Sequence, residues 1–389
     1  MKKITLCCLI PFSDLEQLNT SSYKATLIAL SKKIGKICIV NTEYLNHKKL
    51  KKKIYSLKDK NFKLINLKSY KQFDKFIIGK NIVLLNSLPR NFLNLRLLFY
   101  LNSKKIPQIE LSNLGNVQRG TELFIGRYDY KFLKLVFSKH IPKKIINFLS
   151  AFGFLSKVDC RFISNKKNYE YFKKVSSFKK FFSYYKNVEF VKSNMYEFKN
   201  NKKISEDYIV LLDVYPLYEQ MKIYKSISLE EIKEHYKKLN IFLNYLKKIF
   251  KKKIAVCIHP KYPKKFYKKY LPEQKVYKFK TPEFIHKAFV VLTYNSSAIM
   301  TAIKLNKKII SVEADIYKGK KYSSSVYQEV LGTKTVRITN EYYFNKKKLL
   351  SELNKNIKKY KNYKINHLGI GLKNNASDDI FNYIINHYS

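Results

Sequence analysis

The chain has 389 residues, 78 Lys+Arg against 28 Asp+Glu for a formal net charge of +50, and 46% hydrophobic side chains, 15% aromatic. At about 150 residues per domain this length predicts two or three domains, and so large an apolar fraction excludes a disordered basic tail. No run of about 18 uncharged apolar residues occurs, which speaks against a spanning helix.

At the amino terminus, Met1-Lys2-Lys3 and the apolar run 4–12 imitate a signal peptide. No small-residue cleavage site follows and the run is strand-like, so a cytoplasmic start is expected. Residues 21–33 then read as a helix and 36–41, 62–67, 81–88 and 108–112 as strands, with helical stretches such as 91–104 between them. Segments 162–165 and 188–191 extend this sheet. In the second half, 207–215 is a strand with Asp213 near its end. Ser228 and Glu231 have capping-box spacing at the start of a long helix that runs to about Phe250. Strands follow at 253–259 and 275–279, and Thr281-Pro282-Glu283 opens a short helix. A strand at 289–294, a helix at 296–305, strands at 308–312 and 333–338, and helices near 347–360 and 377–387 complete the chain.

Apolar runs of strand length alternating with helical patterns are the mark of a parallel α/β fold. The order predicts two facing Rossmann-like domains with a cleft between them: residues 1–195, residues 205–345, and C-terminal helices 346–389 packing back on both. The polar stretch 193–206 is the linker, and no internal repeat is present.

Six of the basic residues are Arg, so 78 − 6 = 72 are Lys. Base readers favour the bidentate Arg fork, so this composition reads as a solvated lysine coat and not as a specific nucleic-acid surface. The coat would attract anionic substrates and acidic membrane. The five cysteines have no metal-binding or CxxC spacing and read as buried thiols. Residues 132–157 mix Leu, Phe and Ile with lysines. This pattern fits either a hairpin packed on the first domain, the simpler reading, or a helix lying in a membrane interface.

Several residue sets carry chemistry. His259-Pro260 ends an apolar strand, where open α/β sheets collect ligands, and His can donate to a phosphate near neutral pH. Thr293-Tyr294-Asn295-Ser296-Ser297 joins a strand to a helix. There, hydroxyls and amide N–H groups suit a phosphate, although simple capping by Asn295 or Ser296 explains them too. Asp213 follows a run of apolar residues and is placed to act as general base or nucleophile. Glu219 is a weaker candidate. Glu283 fits donor binding, or merely the favourable first turn of a helix. The loop from Gly115 to Gly120 is not GxGxxG, no P-loop exists, and no metal site is expected.

The succession Leu-Leu-Asp-x-x-Pro, long helix, Ile-His-Pro, Thr-x-Asn-Ser-Ser and Lys-Lys-Ile-Ile, over residues 207–315, resembles the nucleotide-binding half of bacterial GT-B glycosyltransferases. It is most similar to enzymes of surface and capsular polysaccharide synthesis, including Kdo transferases and CMP-sugar-using sialyltransferases. The resemblance implies that His259, Ser296 and Ser297 hold the donor phosphate and that Asp213 is the catalytic carboxylate. Related transferases often carry Glu-Ala for the donor ribose where this chain has Thr301-Ala302, which argues for a CMP-sugar. The implied protein is a cytoplasmic glycosyltransferase, peripheral on the inner membrane face. It would take a nucleotide-sugar donor as substrate, a glycan or lipid-linked glycan acceptor and no cofactor. The alternatives are a UDP- or GDP-sugar transferase, a nucleotide-sugar epimerase, a CDP-alcohol phosphotransferase, or a non-enzymatic polyanion binder.

Overall fold

A computed structural model describes residues 4–10, 22–42, 45, 60–86, 94–111, 141–193, 206–212, 228–258, 264–278, 280–294, 296, 298–313, 331, 335–338 and 345–389. The chain divides into two compact units, one drawn from Met1–Gly115, Phe124–Lys199 and Asn366–Ser389, the other from Asn116–Leu123 and Asn200–Ile365.

The first unit holds a seven-stranded parallel sheet of β1 (Ile4–Ile10), β2 (Ile37–Asn41), β3 (Phe62–Asn66), β4 (Asn81–Asn86), β5 (Gln108–Leu111), β6 (Val158–Ile163) and β7 (Tyr185–Phe190). Their spatial order is β3-β2-β1-β4-β5-β6-β7. The helices are α1 (Ser22–Ile34), α2 (Tyr70–Ile77), α3 (Leu95–Ser103), α4 (Ile141–Ala151), α5 (Lys166–Lys174) and α6 (Ser177–Phe181). Parallel sheets are buried on both faces, and so β2 is buried at every position. Leu6, Cys8, Ile37 and Val83 pack under Leu27 and Leu30 of α1. On the other face, Cys7, Leu9, Val40 and Leu84 meet Phe73 of α2 and Leu97 and Leu101 of α3. All five cysteines are buried and form no disulfide.

β6 begins at Val158, four residues before the predicted start. Asp159 and Arg161 alternate with the buried Cys160 and Phe162, which hides the strand in the sequence. Arg161 Nε lies 3.2 Å from Glu110 Oε1, an ionic contact without hydrogen-bond alignment, and its guanidinium sits over the rings of Tyr184 and Tyr185. Asp159 accepts from the Gln108 N–H at 3.0 Å and from Lys186 at 2.6 Å. Of the 132–157 segment, residues 132–140 lie outside the described residues. α4 packs through Ile146, with Leu155, against Leu98 of α3.

The second unit holds β8 (Tyr208–Leu212), β9 (Lys253–Ile258), β10 (Lys275–Lys278), β11 (Ala288–Thr293), β12 (Lys308–Glu313) and β13 (Thr335–Arg337). They form a parallel sheet in the order β10-β9-β8-β11-β12-β13. The capping box predicted for α7 (Leu229–Phe250) is formed: Ser228 Oγ accepts from the Glu231 N–H at 3.1 Å and Glu231 Oε2 from the Ser228 N–H at 2.7 Å. The stripe Ile232, Tyr236, Leu239, Phe242, Leu243 and Leu246 packs on Ile209, Leu211, Val256, Val290 and Leu292. Alternate residues of the same strands, Val210, Leu212, Ala255, Cys257 and Val291, point the other way and are buried as well. The remaining helices are α8 (Lys264–Tyr270), α9 (Thr281–His286), α10 (Ile299–Lys304), α11 (Lys346–Leu368) and α12 (Ala376–Tyr388).

α11 runs eight residues beyond the predicted 360, because Tyr360 and Tyr363 are buried and the Tyr360 hydroxyl donates to the Lys307 carbonyl at 3.1 Å. The partition between the units falls inside this helix. Its last residues belong to the first unit: Ser164 Oγ donates to the His367 carbonyl at 2.9 Å and the Ser193 N–H to the Leu368 carbonyl at 2.9 Å. Of the predicted linker, residues 194–205 lie outside the described residues. Gly369 then turns the chain with φ +63, where an added Cβ would stand 3.0 Å from both Lys192 Cα and the Val191 carbonyl oxygen. After that turn, Ile380 and Ile384 of α12 join Leu27 and Leu30 of α1 over the first sheet.

Gly369→Ala should therefore lower stability by roughly 1–3 kcal/mol, from strained backbone plus the clash. Gly371→Ala, at φ +98 but with open space around it, should cost less. Urea unfolding of the two variants checks the difference. A second expectation concerns His367, whose Nδ1 lies 3.0 Å from Asn165 Nδ2. The Asn165 oxygen is occupied by the Asn168 N–H, so the amide offers a donor and the neutral imidazole accepts. Burial, aided by the charge of Lys167, lowers the His367 pKa from 6.5 to about 4. The unfolded chain takes up this proton first. The contribution, roughly 3 kcal/mol at most, is complete above pH 6.5 and lost as pH falls towards 4. Replacing His367 with Gln should flatten that part of the pH–stability curve in urea titrations.

Candidate functional site

In the second sheet the strand order reverses between β8 and β11, the position where open α/β sheets bind ligands beyond the carboxyl ends of their strands. β9, β8 and β11 are neighbours there, and residues at or next to their ends stand side by side. Leu212 is in register with Cys257 on one side and Thr293 on the other, and Thr293 in turn with Ser311. This row is fully buried. Cys257 is hydrogen-bonded to Thr281, so the first turn of α9 lies against the end of β9, and burial pushes its thiol up to about 12. A thiol in that state is not a nucleophile at neutral pH.

After β11 the chain makes a tight turn. Thr293 Oγ1 accepts from the Ser296 N–H at 3.1 Å, and Ser296 Oγ accepts from the Ala298 N–H at 3.3 Å. This is a serine/threonine turn, in which short hydroxyl side chains replace backbone partners. It also explains why α10 starts at Ile299, three residues after the predicted 296: the Ser296 hydroxyl serves the turn, and Ala298 is the N-cap without a side-chain bond. Tyr294 points to the opposite face. Its hydroxyl lies 3.1 Å from Nε2 of the buried His235 on α7, which pins the start of the turn to that helix. Nothing in the sequence links these two residues, which are 59 positions apart.

Glu283 and Ser296 are the predicted site residues within the described set. Asp213, His259, Pro260, Asn295 and Ser297 lie outside it, as does Glu219. In sequence, however, Asp213 directly follows Leu212 of β8, His259 directly follows Ile258 of β9, and Asn295 and Ser297 flank Ser296. Glu283 sits in the first turn of α9 and pairs with Lys287 at 2.9 Å, which holds its carboxyl below the usual range. Among the described residues no cluster of His, Cys, Asp and Glu has the makeup of a metal site.

No protein-family model matches the chain, and neither does any curated protein. Solved structures do. The wall teichoic acid polymerase TagF, soaked with CDPG, superposes with a TM-score of 0.57 at 12% identity, over 98% of this chain and 88% of that one. The UDP-GlcNAc 2-epimerase of Methanocaldococcus jannaschii gives 0.54 at 15% identity, over 99% and 100%. The S. aureus MnaA–UDP co-structure gives 0.51 at 13% identity, over 100% and 97%. At such identities the likeness concerns the fold. The chain has the expected GT-B fold: two Rossmann-like domains, each a parallel sheet wrapped by helices, with helices at the carboxyl terminus.

The turn makes a direct prediction. Thr293→Val keeps the shape but removes the acceptor for the Ser296 N–H, and should destabilise the protein by about 1–3 kcal/mol. Thr293→Ser, which keeps the hydroxyl, should recover most of this in urea unfolding.

Proposed function

We propose that the chain is a GT-B enzyme acting on a nucleotide-activated substrate, specifically a glycosyltransferase that moves a sugar from a CMP-sugar donor to a surface glycan or its lipid-linked precursor. One observation carries the reading. The adjacency of β9, β8 and β11 brings together at one sheet rim the strand ends that directly precede Asp213 and His259-Pro260 in sequence, together with Thr293 and Ser296. Structures sharing the fold include ones whose names carry UDP and CDPG, which supports a nucleotide ligand.

In this reading the donor phosphate is held by His259, by the side chain of Asn295 and by the hydroxyls of Ser296 and Ser297, while the Ser296 N–H remains on Thr293 Oγ1. Donors fixed beforehand on the leaving phosphate lower the barrier, because negative charge develops there as the glycosidic bond breaks. Asp213 supplies the carboxylate, either taking a proton from the acceptor hydroxyl or attacking the sugar carbon. Glu283 contributes less, since Lys287 already engages it. The second reading, a nucleotide-sugar epimerase, is favoured by the epimerase fold that covers nearly the whole chain. It uses the same phosphate site but needs no acceptor.

A thermal-shift panel of CMP, CDP, UDP and GDP tests both. One nucleotide at 100 times its Kd should stabilise the wild type by about 2.7 kcal/mol, and His259→Ala should abolish that shift while unfolding at the unliganded wild-type temperature. Asp213→Asn should keep the shift and lose turnover. Selective stabilisation by CMP supports the preferred donor, and stabilisation by UDP with product formed in the absence of acceptor supports the epimerase. No stabilisation by any of the four at millimolar concentration sinks the nucleotide reading.

A further inference from the structure

Beside β6 and β7 of the first unit, α4, the turn after it and α6 expose large aromatic side chains that a water-soluble surface normally hides. Phe178 is 73% exposed, and Phe148, Phe152 and Phe154 are each more than half exposed, with Phe181 at 44%. Most of these rings are not scattered. Phe148 and Phe152 stand 4.5 Å apart, Phe152 and Phe181 5.7 Å, Phe181 and Phe182 5.3 Å, and Phe182 and Phe178 5.1 Å, so a continuous aromatic path runs from α4 to α6. A cavity of about 330 Å³ opens beside Phe178, floored by Phe172, Phe182 and Tyr185. Contiguous apolar patches of this kind mark interaction sites, whereas single exposed apolar residues need no explanation.

Lysines border the patch. Lys157 donates to the Phe181 carbonyl at 2.6 Å and stands over its ring, and Lys180 stands over Phe172. Between residues 141 and 186 the sequence has ten lysines and one arginine against two acids, Asp159 and Glu170. Both acids are engaged, Asp159 by Lys186 and Glu170 by Lys166. A second copy of this chain is a poor occupant, because it would bring another +50 onto the same cationic face. No described helix is long and apolar enough to cross a membrane.

We infer that this aromatic and lysine face docks the first unit on an anionic lipid bilayer, with Phe148, Phe152, Phe178 and Phe181 seated at the boundary between headgroups and acyl chains and the bordering lysines on lipid phosphates. Aromatic rings favour that boundary, and each lysine near an anionic surface adds attraction that salt screens. The inference is independent of the donor assignment, since it uses no residue of the second sheet.

The absence of tryptophan from the chain makes the test clean. Phe152→Trp and Phe178→Trp each place a single indole on the patch, and Ile241→Trp places one on the exposed face of α7 as a control. With vesicles of phosphatidylcholine and phosphatidylglycerol, the two patch indoles should shift to the blue and be quenched by bromine-labelled acyl chains, and the control should not. The lysine coat would bind anionic vesicles without the patch, so binding is repeated at about 1 M salt, where the screening length is about 3 Å. There the wild type should still sediment with the vesicles, and the Phe152→Ser/Phe178→Ser double variant should bind about tenfold more weakly or worse. Equal binding of variant and wild type at high salt overturns the proposal. So does equal quenching of patch and control indoles, or a blue shift that follows protein concentration without lipid and marks a second copy as the occupant.

Discussion

A parallel strand can be followed by a parallel neighbour only after the chain has crossed back over the sheet, so every strand ends at one rim and every crossover covers a face. All the strand pairs of both sheets obey this constraint, and much of the molecule follows from it. Both faces must be apolar, which accounts for strands such as Ile37–Asn41 and Tyr208–Leu212 with hardly a polar position. The loops that carry polar and charged residues collect beyond the carboxyl ends. In the second sheet the strand order reverses between β8 and β11, the position at which open α/β sheets bind ligands.

The carboxyl-terminal helices are divided between the two units. α11 is tied to the second unit by the buried Tyr360, whose hydroxyl donates to the Lys307 carbonyl, and its last residues lie in the first unit, where Ser164, Asn165 and Ser193 meet His367 and Leu368. Gly369 follows because only a residue without Cβ takes a positive φ so close to Val191 and Lys192. α12 can then lie on α1, and its terminal Tyr388 donates to Asp159 at the start of β6. Asp159 thereby joins three elements, β5, β7 and α12, through Gln108, Lys186 and Tyr388, although it reads in the sequence as a strand-breaking acid.

The fold was largely legible because burial on both faces writes strands as unbroken apolar runs and α7 as a 3.6-residue stripe with a capping box. Legibility failed where local chemistry and tertiary partners decide. Ser296 looked like the first residue of a helix, yet its hydroxyl closes a turn onto Ala298, so the helix waits until Ile299. Asp159 and Arg161 concealed the start of β6, since their partners come from strands and helices remote in sequence. α5 buries no residue, so no apolar period announces it. At the candidate site the sequence pointed to the ends of β8, β9 and β11, which the sheet makes neighbours. It could not reveal that Tyr294 is anchored by His235, a contact set entirely by how α7 crosses the sheet.

The rim also shows how structures at 10–15% identity can share a scaffold. The register row Cys257, Leu212, Thr293 and Ser311 is buried and carries two hydroxyls, one of which holds the turn after β11. A phosphate or sugar cannot be recognised by that row. In the proposed reading it would be met by residues further along the chain, such as Asp213, His259 and Ser297. The sheet thus contributes position, and the loop residues contribute chemistry. A substitution inside the row should act on stability, and in the proposed reading one beyond it should act on substrate choice or rate.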